Sequence, residues 1–141
     1  ATRPWQHVLE PLSGYLTLAK SLYNNNSKGE AYNFGPNPSQ NYSVSELINE
    51  MSSYWENVNW KNKKVKKDNF HEASLLKLNC DKALSDLNWS PTLSFEETVE
   101  MTVEWYKKFY QNPNKSMYDF TVSQINYFTK KFTQNDNNCL K

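Results

Sequence analysis

Arg3-Pro4-Trp5-Gln6-His7-Val8-Leu9-Glu10-Pro11-Leu12-Ser13-Gly14-Tyr15-Leu16 is the stretch that decides how this chain is read. From its end, apolar residues recur at Leu12, Tyr15, Leu16, Ala19, Leu22 and Tyr23, the i, i+3, i+4, i+7 spacing that gathers side chains on one face of a helix. A core-facing helix is therefore expected within a few residues of Arg3. Glu10 and Pro11 suit its first turn, where a carboxylate meets the positive end of the dipole and proline's missing N–H costs nothing. The polar run Asn24-Asn25-Asn26 with Ser27-Lys28-Gly29 ends it near Tyr23.

Outward from that helix, the short aromatic run Ala31-Tyr32-Asn33-Phe34, bounded by Gly29 and Gly35-Pro36, reads as a buried strand. Ser43-Val44-Ser45-Glu46 matches a capping box, and Leu47, Ile48, Met51, Tyr54 and Trp55 continue at helical spacing. Leu75-Leu76-Lys77-Leu78 reads as a second short strand. Asn79 is the expected N-cap of a helix through Ala83, Leu84 and Leu87 that stops at Asn88. After Trp89-Ser90-Pro91, Ser94-Phe95-Glu96-Glu97 is a second capping box. It opens a helix with apolar residues at Val99, Thr102, Val103, Tyr106, Phe109 and Tyr110, while Met101 and Trp105 widen the arc enough to touch neighbours on two sides. Thr121 with Gln124 suggests a third box ahead of Val122, Ile125, Phe128 and Phe132. The expected fold class is thus a small, helix-rich α/β domain, with about five helices and a few short strands. One domain over residues 1–133 is followed by a polar, frayed tail over 134–141.

A chain of 141 residues supports one core. A net charge of +1 supplies no field of one sign, so nucleic acid is not an expected partner. Lys61, Lys63, Lys64, Lys66 and Lys67 form a local cluster that reads either as a phosphate-binding patch or as a solvated edge, and the near-neutral charge favours the edge. Cys80 and Cys139 are too few and too far apart for a disulfide framework, and nothing like a signal peptide precedes Arg3, so a cytoplasmic setting is expected. No apolar run approaches the roughly 20 residues that cross a bilayer, so no membrane partner is expected either.

With three glycines the chain has no Gly-x-Gly-x-x-Gly fingerprint, no phosphate loop and no Gly-x-Ser-x-Gly elbow, and its histidines and cysteines lack zinc-ligand spacing. No catalytic residue, cofactor site or metal site is expected in it. Two places could carry binding chemistry. Arg3, with His7 one helical turn further on, would present a cation and a ring at a helix N-terminus, a berth for phosphate oxygens; alternatively Arg3 stacks on Trp5 and His7 caps or packs. His71-Glu72 could hydrogen-bond a sugar hydroxyl or be a solvated pair.

The opening stretch closely resembles the segment of CDP-glucose 4,6-dehydratases, extended short-chain dehydrogenase/reductases, in which the chain leaves the nucleotide-sugar pocket and enters a helix. Later segments agree in order: Tyr32-Asn33-Phe34-Gly35-Pro36, His71-Glu72-Ala73 with Leu76-Lys77-Leu78, Leu87-Asn88-Trp89-Ser90-Pro91, Thr102-Val103-Glu104-Trp105-Tyr106, and Gln124-Ile125. Departures include Asn79 where the family has Asp and Phe70 where it has Pro. The resemblance implies the C-terminal, substrate-binding part of such an enzyme. It places Arg3 on the diphosphate of a CDP-sugar, and Glu72 with His71 near the nucleotide. The glycine-rich NAD loop and the Tyr-x-x-x-Lys pair belong to the family's N-terminal half. The complete enzyme would oxidise C4 of the glucose with NAD, eliminate water across C5 and C6, and return the hydride to C6. This chain alone is then expected to be inactive. The alternative is a stand-alone interaction module, in which the outer sides of the first and fourth helices, exposed without the cofactor half, support self-association or a protein partner.

Overall fold

The computed structural model describes residues 2–61 and 76–138, with side chains to residue 135. Among them are five helices and a two-stranded antiparallel sheet, in the order β1 (Thr2–Arg3), α1 (Leu9–Tyr23), β2 (Tyr42–Ser43), α2 (Val44–Tyr54), α3 (Asp81–Leu87), α4 (Phe95–Gln111) and α5 (Tyr118–Asn138). The helix-rich α/β class is as expected. The strands are not the expected ones. Residues 31–34 and 76–78 run without regular structure, and the sheet forms instead between Thr2–Arg3 and Tyr42–Ser43. Side chains do part of the ladder's work in the 31–34 run: Gln6 Nε2 donates to the Phe34 carbonyl at 3.1 Å, and Asn33 Nδ2 donates to the Asn79 carbonyl at 3.2 Å.

Local capping chemistry explains the starts of α2 and α4. Ser43 and Ser94 each accept from the backbone N–H three residues on, and Glu46 and Glu97 reach back to the Ser43 and Ser94 N–H groups, so both boxes are complete. The N-cap of α3 is Cys80, without a side-chain cap, rather than the expected Asn79; Asn79, one residue earlier, accepts from the Asp81 N–H through Oδ1 at 2.9 Å, an Asx turn that leads into the helix. Helix α3 ends at Asn88, whose φ of 52° is the left-handed conformation that Asn tolerates. The third box is not there. Helix α5 begins at Tyr118, whose N–H is accepted by Ser116 Oγ, and Thr121 and Gln124 act across the α4–α5 interface. Thr121 Oγ1 accepts from the Trp105 indole at 2.9 Å, and Gln124 Nε2 donates to the Met101 carbonyl at 2.8 Å. Polar groups buried between packed helices need partners, and that demand takes these two side chains. Helix α5 continues to Asn138, into the stretch expected to be a tail.

Among the described residues the interior is divided into three clusters. Phe34, Ala83 and Trp89 form one; Leu93, Met101 and Phe128 a second; Phe95, Val99 and Val103 the third, against which Trp5, Tyr42, Leu47 and Met51 pack. Met101 faces α5 while Val99 and Val103 face α2, so α4 has neighbours on two sides, as its broad apolar arc implies. The α3–α4 connection and the first residue of α4 together supply one buried residue to each cluster: Trp89, Leu93 and Phe95.

The expectation that α1 buries its apolar stripe is overturned. Leu12, Tyr15, Leu16 and Tyr23 are exposed, Leu16 at 73%, and the buried positions of α1 are Glu10 and Gly14. The reason is steric and polar. A Cβ on Gly14 would lie 2.3 Å from the Phe34 ring, so only glycine lets this face of the helix close on the first cluster. On the same side Ser13 Oγ accepts from the Trp89 indole at 2.9 Å. Glu10, 1% exposed, accepts from the Thr92 and Leu93 N–H groups at 2.8 and 2.7 Å through one oxygen, Oε1.

Candidate functional site

The strand carrying Arg3 is held from several directions. Arg3 pairs with Tyr42 across the sheet, and the Tyr42 ring stacks on Phe95 with centroids 3.7 Å apart. Trp5 donates its indole N–H to the Tyr42 carbonyl at 2.9 Å and packs on the third cluster. Ser43, the other residue of β2, is the N-cap of α2. Arg3 is half-buried, and its Nη1 donates to the Thr2 carbonyl at 2.7 Å. The result is a guanidinium on a well-anchored backbone, a group suited to charge-assisted hydrogen bonds with an oxyanion.

The other half of the proposed berth differs from expectation. His7 is buried and its Nδ1 accepts from the Leu9 N–H, while the His7 carbonyl accepts from Glu10 N–H at 3.0 Å. The first donors of α1 are thereby taken within the chain, and burial pushes the His7 pKa down, which favours the neutral ring. His7 is a capping and packing residue, the alternative its position allowed. His71 and Glu72 lie outside the described residues, as do Lys63, Lys64, Lys66 and Lys67. The structure therefore describes Arg3 alone of the three expected binding residues.

Two grooves stand out among the described residues. The larger, about 650 Å³, lies between α1 and α5 beside the end of α3 and is lined by Leu12, Leu16, Leu87, Ile125, Phe128 and Phe132 among others. The smaller, about 330 Å³, runs between α4 and α5 past Glu97, Glu100, Glu104 and Tyr127. Glu97 is drawn into the α4–α5 contact: burial pushes its carboxyl up, but the Lys131 ammonium, the Ser94 N–H and the Tyr127 hydroxyl outweigh this and hold it below the usual value. Arg3 lines neither groove.

No group of three or more His, Cys, Asp or Glu among the described residues is placed to hold a metal ion. The glycines do not fit a dinucleotide. Gly14 is closed against Phe34 and Gly35 against Leu78 and Cys80, leaving no open backbone cradle at either, and Gly29 stands alone at a turn with φ of 75°. No helix among the described residues is long and apolar enough to cross a membrane.

Sequence reasoning missed Glu10, which reads locally as a first-turn carboxylate. Its acceptor role depends on donors more than 80 residues away, and no local spacing encodes that.

No family model matches the chain. It is 41% identical over 108 residues to the CDP-glucose 4,6-dehydratase of Salmonella typhimurium strain LT2, a match covering 74% of this chain and 29% of that enzyme. The chain thus spans less than a third of the length of this relative. By sequence, the chain matches one part of that CDP-glucose 4,6-dehydratase.

Proposed function

We propose that this chain is the C-terminal, sugar-nucleotide-binding part of an enzyme of that kind, and that it takes a CDP-sugar with Arg3 on the diphosphate. The observation that carries the reading is the 41% identity to an enzyme named for CDP-glucose. The anchored Arg3 strand supports it, because a diphosphate is best held by a cation whose backbone is fixed before the ligand arrives. His71 and Glu72 are assigned to the nucleotide side. NAD, which supplies hydride transfer in the complete enzyme, belongs outside this chain, and the chain alone does not turn over substrate.

Calorimetric titration with CDP-glucose tests the binding role. Arg3→Ala is expected to weaken binding by about 10- to 100-fold, the loss of a charge-assisted contact worth roughly 1.5–3 kcal/mol. Absence of binding, or equal binding by the variant, refutes the assignment. Formation of a 4-keto product by the purified chain with added NAD refutes the second half of the proposal.

A further inference from the structure

We propose that His7 is a second binding residue of the site that Arg3 begins, its ring Nε2–H donating to an oxygen of the diphosphate that the guanidinium holds. The inference rests on the reading above that Arg3 takes the diphosphate of a CDP-sugar, and it adds one residue and one atom to that reading. Capping occupies only one side of the ring. Nδ1 accepts from the Leu9 N–H at 3.3 Å, and a ring nitrogen that accepts carries no proton. In the neutral ring the proton then sits on Nε2, so the backbone of α1 fixes the tautomer and makes the far nitrogen a donor.

Among the described residues no group takes that donor. The buried side-chain atoms left without a partner there are Gln6 Oε1, Glu10 Oε2 and Thr92 Oγ1, and Nε2 is not one of them. The donor therefore opens at the surface of a residue that is only 8% exposed. A ring so packed holds its N–H in place before a ligand arrives, which lowers the ordering cost of binding. Charge suits the role as well. Burial pushes the His7 pKa down, so the ring is neutral at pH 7. A neutral N–H adds a hydrogen bond to an anion without adding a second cation that would repel the guanidinium.

The chain brings the two groups within reach of one ligand. Four residues of extended backbone span at most about 14 Å. The Trp5 N–H donates to the Arg3 carbonyl at 2.9 Å, a turn that shortens the path further. Elimination points to the same atom. Between Arg3 and Leu9, the Trp5 indole is spent on the Tyr42 carbonyl and the Gln6 amide nitrogen on the Phe34 carbonyl, while Pro4 and Val8 have no side-chain donor. His7 Nε2 is the donor nitrogen that this connection leaves for a ligand. A sugar diphosphate is doubly charged, and a single guanidinium leaves some of its oxygens to other donors.

Bond counting supplies the test. The side-chain oxygen of Asn lies as many bonds from the backbone as Nδ1, and the amide nitrogen of Gln as many as Nε2. His7→Asn therefore keeps an acceptor for the Leu9 N–H and loses the donor, whereas His7→Gln keeps a donor and loses the acceptor. Both lose the ring and are expected to melt below the parent, so a purely structural role predicts parallel losses of binding. In calorimetric titration with CDP-glucose below both melting temperatures, His7→Asn is expected to bind about 10-fold more weakly than the parent and His7→Gln within about 3-fold of it. Equal affinities of the two variants, or parent-like binding by His7→Asn, overturn the proposal. Should neither variant stay folded, the parent decides: 15N–1H correlation of the imidazole is expected to show the Nε2–H tautomer and an Nε2 resonance that shifts as CDP-glucose is added. The other tautomer, or an unmoved resonance at saturation, overturns it. Arg3→Ala is read separately. If it weakens binding while His7→Asn does not, the present inference alone fails, and a parent that does not bind CDP-glucose ends both.

Discussion

Glu10 gives the sharpest test of how this fold is held together. Its Oε1 accepts from two backbone N–H groups, of Thr92 and Leu93, and the side chain is 1% exposed. Replacing it with alanine orphans both donors in the interior. At about 1–3 kcal/mol for each unmade buried hydrogen bond, less the relief of no longer burying a carboxyl, the net cost is about 2–4 kcal/mol. For a chain of this size that corresponds to a fall in Tm of about 10 °C. Glutamine keeps an accepting oxygen at the same place, so Glu10→Gln is expected to cost about 1 kcal/mol or less at pH 7.

The two forms also differ in pH dependence. Desolvation raises the Glu10 pKa above its usual 4.5, with Glu97 adding to the rise, and the two N–H donors and Lys131 offset it only in part. The folded state therefore holds the proton more tightly than the unfolded state. The associated stability is fully present below the unfolded pKa and is lost as pH rises through the folded one. Urea melts followed by tryptophan fluorescence, to which Trp89, whose indole bonds to Ser13 on α1, contributes, would report the transition. The stability of the parent relative to Glu10→Gln is expected to decline from about pH 4 towards neutrality. A gap that widens in the parent's favour as pH rises refutes the reasoning, as does an alanine variant that loses less than about 0.5 kcal/mol.

Three further outcomes follow from the same geometry. Gly14→Ala is expected to destabilise by about 1–3 kcal/mol in chemical denaturation, because its methyl meets the Phe34 ring and this outweighs the roughly 1 kcal/mol that alanine gains in a helix. Ser94→Ala is expected to cost about 1 kcal/mol by removing the acceptor for the Glu97 N–H. Lys131→Met is expected to act opposite in sign to Glu10: Glu97 is held below its usual pKa by Lys131 among others, so its contribution is present above the unfolded pKa and is lost as pH falls through the folded one. The variant should therefore show a shallower loss of stability on acidification, measured by thermal melts between about pH 3 and 6.

What could be read directly from the sequence is what local chemistry decides. Ser43/Glu46 and Ser94/Glu97 each satisfy backbone donors within one turn, so the starts of α2 and α4 were legible without knowledge of anything else in the fold. Asn88 similarly marks the end of α3, whereas its N-cap is Cys80 and not the expected Asn79. Features fixed by distant partners were not legible. Thr121 and Gln124 have capping-box spacing, yet the Trp105 indole and the Met101 carbonyl claim them. The α1 stripe has helical periodicity, which predicts the helix but not which face turns inward. That choice falls to Gly14, Ser13 and Glu10, through Phe34, Trp89 and the 92–93 backbone. Arg3 was legible as a candidate by residue type and resemblance, whereas the neutral, buried state of His7 needed the fold.

The stretch from the α3–α4 connection into the first residue of α4, which gives Trp89, Leu93 and Phe95 to three separate clusters, makes residues 89–95 the keel of the molecule, and its position has a practical consequence. Severing the backbone there would unmoor every cluster at once, while a break in the exposed turn near Asn25 would leave all three ballasted. A nick at residues 24–28 is therefore expected to leave the fold intact where one at residues 90–92 does not.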